Sequence, residues 1–344
     1  SPHFCMISTE GSATTKPGGA DRDLAPALGS PPMRLLVALG GNAMTAPDGR
    51  ARQEDQIAAV GRAVEPVADL VAEGEDVVLT HGNGPQVGNL LVKNELAAAV
   101  VPPVTLDWCG AQTQGTIGLI LINALERALA GRRVERRVAA VVTRTRVDEA
   151  DPGFQRPTKP IGRYLPEAEA KTMIEHGQNW QDRGQRGWRR VVASPEPLEI
   201  LDAPAVSALI AAGFVVVAAG GGGVPVVRDL DGTIRGIEAV IDKDLAAAVL
   251  GRTIGAEILV IATDVDHVML GFGTDEAKTI ERADVRTMRG YAAEGHFAAG
   301  SMGPKVEAAC RFVEQGGRRA VITSLERIAA AVHGEAGTEI IPGN

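Results

Sequence analysis

The chain has 344 residues, of which 45% are hydrophobic and only 3% are aromatic, and it carries a formal net charge of −8. This composition is typical of a globular protein with an aliphatic core. It argues against a nucleic-acid partner, because no stripe of Lys and Arg interleaves with aromatic residues. It also argues against a membrane partner, because no apolar run approaches the roughly 20 residues of a spanning helix.

The N-terminal segment 1–32 differs in composition from the rest of the chain. It is rich in Gly, Pro, Ser, Thr and Ala without an apolar period, and it predicts a disordered extension before a folded domain at 33–344. The three cysteines, Cys5, Cys109 and Cys310, lack the spacing of a disulfide framework or a zinc site. We therefore expect Cys109 and Cys310 to be packing residues in a reducing, cytoplasmic compartment.

The first half of the folded domain alternates short apolar runs with helical patterns. One apolar run ends in Gly40-Gly41-Asn42 and the next ends in His81-Gly82-Asn83-Gly84. Such runs are typical of strands buried on both faces of a parallel sheet that carries helices on both sides. In chain order we predict a strand at 34–39, a helix at 53–72, a strand at 76–80, a helix at about 112–129 and a strand at 138–143.

Between about 144 and 190 the pattern changes. This segment contains four prolines and two tryptophans, and it has no apolar strand before its C-terminal end, so we predict an inserted lid sub-domain. Lys159 lies between two prolines in the run Pro-Thr-Lys-Pro, which stiffen its loop and suit it to bring one charge to a substrate. An ordinary exposed lysine is the alternative. We expect Trp180 and Trp188 to pack the lid.

In the second half a predicted strand runs directly into four consecutive glycines, Gly220 to Gly223. Four glycines cost chain entropy on folding, and close approach of the backbone to a phosphate is one reason to have them. The run matches neither the GxxxxGK[ST] nor the GxGxxG pattern. We predict strands at 214–218, 258–262, 320–323 and 338–341 and helices at 242–250 and 304–314.

Two lysines lie beside acidic or glycine-rich turns. Lys243 stands between Asp242 and Asp244, and Lys305 begins a predicted helix, where a cation is unfavourable unless an anion is bound. Phosphoryl transfer requires such cations together with backbone N–H groups that hold phosphate oxygens. The sequence therefore predicts a small-molecule kinase, with a solvated surface cluster as the alternative for Lys243.

The remaining turns have a structural alternative as well. The two glycine turns of the first half either present N–H groups to an anion or are tight turns that need a positive φ. Thr263-Asp264 suits contact with a ribose or a phosphate, or a helix cap. We interpret His81 as a turn residue that packs or binds substrate, not as a catalytic base.

Seven segments in this order resemble the carbamate kinases of the amino acid kinase family, and the resemblance covers residues 33–344. They are Ala38-Leu39-Gly40-Gly41-Asn42-Ala43, Thr80 to Gly88, Pro157-Thr158-Lys159-Pro160-Ile161-Gly162, Arg190-Val191-Val192-Ala193-Ser194-Pro195, Gly220 to Pro225, Glu238 to Asp244, and Gly300 to Lys305.

The resemblance implies an α/β fold, a three-layer αβα sandwich with an open, mainly parallel sheet and a small inserted lid. It implies a homodimer that transfers a phosphoryl group reversibly between ATP and carbamate with Mg²⁺, used for ATP synthesis in arginine or purine-derived catabolism. The half at 33–212, which includes the lid, would bind the acceptor, and the half at 213–344 would bind the nucleotide.

The resemblance also implies roles for individual residues. Lys243 and Lys305 would contact the transferred phosphoryl group, Asp244 would hold these lysines in place, and Lys159 would close over the substrate. The expected substrate-binding residues are Gly40, Gly41, Asn42, Gly82, Asn83, Gly84, Gly221 and Gly222. The expected nucleotide-binding residues are Gly220, Gly223, Asp242, Thr263, Asp264, Met269, Met302 and Gly303. No protein side chain is expected to be the main ligand of Mg²⁺, which the nucleotide phosphates would hold.

Three positions bear on how closely the chain follows this family. Asn42 stands where relatives such as acetylglutamate kinase carry a lysine, which favours the carbamate kinases. Arg163 and Met269 depart from the proline and the tyrosine that are common there. Two alternatives remain: a kinase of the same family that acts on another small carboxylate, and a catalytically silent sensor of nucleotide or carbamoyl phosphate.

Overall fold

The computed structural model describes residues 32–45, 52–298 and 300–343, without the side chain of Asn42. The extension predicted at 1–32 lies outside these residues apart from Pro32. No described helix is long and apolar enough to cross a membrane.

The described strands are β1 (Arg34–Leu39), β2 (Asp76–His81), β3 (Val138–Ala140), β4 (Arg144–Arg146), β5 (Lys159–Leu165), β6 (Trp180–Asp182), β7 (Trp188–Val192), β8 (Glu199–Ile200), β9 (Val215–Val217), β10 (Val224–Arg228), β11 (Ile234–Gly236), β12 (Ile258–Thr263), β13 (Val268–Leu270), β14 (Lys278–Ile280), β15 (Arg282–Asp284), β16 (Arg319–Ser324) and β17 (Thr338–Ile341). The described helices are α1 (Gln53–Ala63), α2 (Glu65–Ala72), α3 (Gly84–Ala97), α4 (Leu106–Gly131), α5 (Pro152–Gln155), α6 (Glu167–Glu175), α7 (Ala203–Ala211), α8 (Lys243–Ile254), α9 (Val285–Ala293), α10 (Met302–Glu314) and α11 (Ile328–Val332). Short 3₁₀ turns lie at Gly41–Met44, Gly184–Arg186, Gly220–Gly222 and Leu325–Arg327.

A central sheet organises the described residues. Its eight strands have the order β15-β17-β16-β12-β1-β2-β9-β3. Neighbours are parallel except β16 and β17, which are antiparallel. Val37 of β1 lies opposite Val260 of β12 and Leu79 of β2. The predicted parallel sheet is therefore confirmed.

The two faces of the sheet bury two separate cores. Leu36 and Ala38 point to one face, where α7, α8, α9 and α10 pack. Leu35, Val37 and Leu39 point to the other face, where α1, α2, α4 and α11 pack. Since successive side chains of a strand alternate between faces, one apolar run supplies both cores. This arrangement is the three-layer αβα sandwich expected for the domain.

The segment predicted as a lid contains more strand than expected. β5, β7 and β6 form an antiparallel three-stranded sheet, in the order β5-β7-β6. β5 was not predicted, because this strand contains Pro160, a Gly162 with φ of +68°, and an irregular register between Ile161 and Tyr164. Trp180 and Trp188 pack with Leu165 and Ala170 in a small local core, as predicted.

Several helix predictions are corrected. The helix predicted at 53–72 is divided into α1 and α2 at Val64, because Pro66, in the first turn of α2, has no N–H to continue the hydrogen bonding of α1. α4 begins at Leu106, earlier than predicted. α3 and α9 were not predicted. α3 begins with Gly84-Pro85, although Gly84 was predicted to end a turn.

Candidate active site

A cavity of about 350 Å³ lies at the carboxyl edge of the central sheet. β1, β2 and β12 are neighbours, so the turns that follow them meet at one edge. The N-termini of α8 and α10 and the start of β5 complete the wall. The lining residues are Gly40, Gly41, Ala43, Gly82, Asn83, Gly84, Pro85, Val87, Lys159, Pro160, Ile161, Gly221, Val240, Ile241, Asp242, Lys243, Asp244, Thr263, Asp264, Gly300, Ser301, Pro304, Lys305 and Leu325.

Two lysines converge on one buried carboxylate. Lys243 Nζ lies 2.5 Å from Asp244 Oδ1, and Lys305 Nζ lies 3.2 Å from Asp244 Oδ2. The side chain of Asp244 is only 4% exposed, whereas those of Lys243 and Lys305 are 13% and 17% exposed. The lysines come from the first turn of α8 and from α10, so the carboxylate fixes two cations from different helices at one wall of the cavity.

The charge of Asp244 is stabilised by these lysines. Burial by itself raises the pKa of the carboxyl group, but the ammonium groups of Lys243 and Lys305 outweigh burial and hold the pKa below its ordinary value. α10 begins at Met302, before the predicted start. The anion beside Lys305 is thus the Asp244 carboxylate, which accounts for a cation near this helix start without a bound phosphate.

A third lysine enters the cavity from the lid. Lys159, the first residue of β5, places Nζ 2.8 Å from Asp242 Oδ2. Asp242 is the N-cap of α8, and its Oδ1 accepts hydrogen bonds from the backbone N–H groups of Asp244 and Leu245. The structure therefore brings together all four predicted catalytic residues around the start of α8.

The glycine turns allow close packing of backbone around the cavity. A Cβ atom on Gly40 would lie 2.9 Å from the carbonyl oxygen of Ala262, and one on Gly82 would lie 3.1 Å from the backbone N of Gly41. Both contacts are tighter than ordinary van der Waals separation. Glycine is therefore favoured at these two positions whether or not a ligand binds.

The glycine run owes its composition largely to packing. A Cβ on Gly220 would lie 2.2 Å from His81 Nε2, and one on Gly221 would lie 2.1 Å from Asn83 Nδ2. Gly222 and Gly223 have φ of +90° and +88°, which favours glycine. Gly221 is the member of this glycine run that lines the cavity, as far as the described residues show. Packing and positive φ therefore account for these glycines without a bound phosphate, and a role of the run in phosphate binding stays a prediction.

Three buried threonines, which were not among the predicted site residues, hold this glycine run. Ala219, with φ of +52°, donates its N–H to Thr143 Oγ1 at 2.7 Å and accepts from Thr80 Oγ1 at 2.9 Å. Thr145 Oγ1 donates to the carbonyl oxygen of Gly222 at 2.7 Å. The three threonines are fully buried. Polar residues at or next to otherwise apolar predicted strands were the signal that could have identified them.

His81 is buried, and its ring packs against Gly220. Burial is the main cause that lowers the pKa of its imidazole to about 4, and nearby Lys243 lowers it further. The hydrogen bond between Nδ1 and the Gly82 carbonyl opposes this shift and leaves Nδ1 as the donor of a neutral ring. The interpretation of His81 as a turn residue that packs agrees with this geometry.

Some predicted ligand-binding residues lie away from the described cavity wall. Met269 lies in the β13–β14 hairpin opposite Thr279. Met302 begins α10 and packs against the core, and a Cβ on the adjacent Gly303 would lie 3.1 Å from the Ala298 carbonyl oxygen. Gly220, Gly222 and Gly223 are buried beneath the cavity wall. Roles for these residues, and for the Asn42 side chain, stay predictions.

The two described cysteines lie in the cores of the protein. Cys109 and Cys310 are both fully buried. Burial raises the pKa of the Cys109 thiol and raises that of Cys310 to about 11. A thiolate is the reactive form of cysteine, so both residues are suited to packing, as predicted.

Comparison with known proteins identifies the family. The model of the amino acid kinase family matches residues 33–324. The chain is 43% identical to the carbamate kinase of Pyrococcus furiosus over 90% of this chain and 99% of that protein. It is 46% identical to the carbamate kinase-like protein YahI of Escherichia coli over 89% of this chain and 98% of that protein.

A solved structure gives the same result. The carbamate kinase of Giardia lamblia bound to AMP-PNP superimposes with a TM-score of 0.86 at 37% identity, over 91% of this chain and 99% of that one. This chain therefore resembles these relatives in sequence, and the solved structure in architecture, over nearly their whole length. The chain belongs to the amino acid kinase family, and within that family it is similar to the carbamate kinases.

Proposed function

We propose that this protein is a carbamate kinase, which catalyses ATP + carbamate = ADP + carbamoyl phosphate in either direction. In the ATP-forming direction, an oxygen of the terminal ADP phosphate attacks the phosphorus of carbamoyl phosphate. The new O–P bond forms as the bond to the carbamate oxygen breaks, and carbamate leaves. Supply of ATP from arginine or purine-derived carbamoyl phosphate, in a cytoplasmic setting, is part of the proposal.

The pairing of Lys243 and Lys305 on buried Asp244 carries this proposal. The transferred phosphoryl group spreads negative charge over three equatorial oxygens in the transition state. Two fixed ammonium groups beside the cavity would stabilise this charge without having to reorganise during the reaction. Lys159 would add a third cation from the lid. All three lysines are present, which favours an enzyme over a silent sensor.

The glycine turns supply the acceptor side of the proposal. Gly40, Gly41 and Gly84 line the cavity, where their backbone N–H groups can bind the oxygens of a carbamoyl group. Gly82 also lines the cavity, but its N–H donates to the Leu39 carbonyl oxygen at 3.0 Å. The side-chain amide of Asn83 donates to Thr113 Oγ1 at 2.9 Å, which fixes its orientation. We assign this side, which belongs to the half at 33–212, to carbamate and carbamoyl phosphate.

The opposite side of the cavity suits the nucleotide. Thr263 is the last residue of β12 and Asp264 follows it, and the start of α10 also lies at the cavity wall. The relative from Giardia lamblia binds AMP-PNP. We assign ATP and ADP to this half, at 213–344.

The residues present suit a magnesium ion that arrives with the nucleotide. Among the described residues no group of three or more His, Cys, Asp or Glu is arranged to hold a metal. Asp242 and Asp244 already pair with lysines. Mg²⁺ would then be held mainly by phosphate oxygens, and when bound it neutralises charge on the phosphates.

The proposal includes a homodimer formed through α4 and the sheet edge. Trp108 and Leu119 are 63% and 58% exposed and lie eleven residues apart on one face of α4. Val142, 54% exposed, follows β3, the edge strand of the central sheet. A second copy would cover this apolar face and the unpaired edge together.

We expect Leu119→Arg to convert a dimer into a monomer, because it places a charge in the centre of the covered face. Light scattering after size-exclusion chromatography measures the mass. Leu230→Arg is the matched control, since Leu230 is fully exposed outside this face. A monomeric wild type, or a dimer that Leu119→Arg leaves intact, would show that this face is not the interface.

Selectivity among acyl phosphates tests the proposed acceptor. The full-length protein should form ATP from MgADP and carbamoyl phosphate with a kcat/KM at least about 100-fold higher than with acetyl phosphate, because a site that hydrogen-bonds an NH₂ group rejects an analogue without it. The coupled hexokinase assay measures ATP in both cases. Equal or reversed preference would support the other small-carboxylate kinase, and nucleotide binding without any transfer would support the sensor.

A further inference from the structure

One carboxylate links the lid to the start of α8. The two oxygens of Asp242 have different partners: Oδ1 accepts from the N–H groups of Asp244 at 2.9 Å and Leu245 at 3.3 Å, and Oδ2 accepts from Lys159 Nζ at 2.8 Å. The helix that Asp242 caps carries Lys243 in its first turn. A cation from the lid is therefore held by the same helix that presents a cation to the phosphoryl group.

The backbone of the lid strand is placed by other contacts. A Cβ on Gly88 of α3 would lie 3.4 Å from Gly162 Cα of β5, so these two elements pack backbone to backbone. Arg163 Nη2 of β5 also contacts Glu95 Oε2 of α3 at 3.3 Å. These contacts fix where β5 runs, but they lie beyond the start of β5 and do not set the direction of the long Lys159 side chain.

The Lys159–Asp242 ion pair is partly buried. The Lys159 side chain is 36% exposed and that of Asp242 is 13% exposed, and both residues line the cavity. Partial burial strengthens an ion pair relative to one on an open surface. An unpaired lysine samples many rotamers, so a carboxylate that selects one of them reduces the ordering needed when the anionic substrate binds.

Engagement of both oxygens of Asp242 argues against its expected role at the nucleotide. A nucleotide or metal contact would have to share an oxygen with either the helix cap or the Lys159 ammonium. We propose that Asp242 is a positioning residue that acts through Lys159: it holds the lid ammonium at the cavity, oriented for the phosphate of carbamoyl phosphate. This inference rests on the proposed carbamate kinase reaction for its kinetic readout.

A double-mutant cycle tests the proposal. Asp242→Asn removes the charge and keeps a good N-cap, so the fold should be retained. We expect kcat/KM for carbamoyl phosphate to fall about tenfold and KM for MgADP to change less than about twofold. In a Lys159→Met background the same substitution should cost less than about twofold, because no ammonium is left to orient. Asp242→Ser, another good cap, should repeat these results.

Three kinetic outcomes would overturn the proposal. Asp242→Asn could leave kcat/KM unchanged, or it could raise KM for MgADP by tenfold. In the third outcome, the fold-decrease in kcat/KM of the double variant would equal the product of the fold-decreases of the two single variants. The second result would support a role of Asp242 in nucleotide binding, and the third would show that Asp242 acts independently of Lys159.

A second readout does not depend on turnover. Acetic anhydride labels free lysine amines, and mass spectrometry gives the initial rate at each site in the full-length protein. We expect Lys159 to react at least about threefold faster in Asp242→Asn, because release from the ion pair frees its amine. Exposed Lys278 should be unchanged. An unchanged Lys159 rate would overturn the proposal. A wild type that forms no ATP while Lys159 shows this protection would contradict the proposed function alone.

Discussion

Replacement of Lys305 by methionine is expected to lower kcat for ATP formation by about 10³-fold, since removal of one preorganised group that stabilises transition-state charge costs roughly 10²–10³-fold. Methionine keeps the unbranched shape of the stem but loses the ammonium that lies 3.2 Å from Asp244 Oδ2. Lys243→Met should have an effect of similar size, since its ammonium contacts the other oxygen of the same carboxylate.

Initial rates at saturating MgADP and carbamoyl phosphate give kcat, and calorimetry gives the affinity for ADP. That affinity should change less than about tenfold, because the lysines act mainly on the transferred group. Lys93→Met is the control, since Lys93 is exposed on α3 and does not line the cavity. A Lys305→Met enzyme that retains a tenth or more of the wild-type kcat would contradict the assigned role.

Neutralisation of Asp244 is expected to destabilise the protein by about 3 kcal/mol, the usual cost of breaking a buried ion pair. Asp244→Asn leaves the ammonium groups of Lys243 and Lys305 close together without their shared counterion. Inorganic phosphate should restore part of the loss, because an anion in the cavity pairs with both lysines. Chemical denaturation with and without phosphate measures both effects.

The difference should persist from pH 8 to pH 5. The folded pKa of Asp244 lies below the ordinary value of 3.8, so its contribution is complete above that value and is lost only as the pH falls through the lower folded pKa. Asp69→Asn is the control: Asp69 pairs with Arg132 at 2.8 Å but is 50% exposed, and its loss should cost less than about 1 kcal/mol. Equal costs for the two variants would contradict the counterion role.

The main sheet was predictable because its strands are buried on both faces. A short continuous apolar run such as Val215–Val217, with a glycine turn after it, is typical of a strand in a parallel sheet. The lid strands were not predictable in this way, since β5 combines a proline, a positive-φ glycine and a bulge. The division at Val64 was missed because the apolar period continues across it, although Pro66 was visible.

The candidate site was predictable where residue types and turns coincide. Lys243 and Lys305 stood out because lysines beside strand-end turns suit phosphate chemistry, and the structure brings both onto Asp244. The ion pair of Lys159 with Asp242 joins residues 83 positions apart, and no local pattern indicates such a contact. The sequence likewise showed a glycine run but not the His81 ring and Asn83 amide that occupy the space beside it.

Transfer of phosphate from carbamoyl phosphate to MgADP by the wild-type full-length protein tests the central claim most directly. Two cations held on one buried carboxylate should stabilise the phosphoryl group during its transfer. The enzyme should turn over many times, and each transfer should form one ATP. ³¹P NMR follows both phosphates in one sample. Loss of the carbamoyl phosphate signal with matching growth of ATP is the predicted result. Folded protein that binds ADP but consumes carbamoyl phosphate no faster than buffer would contradict the account.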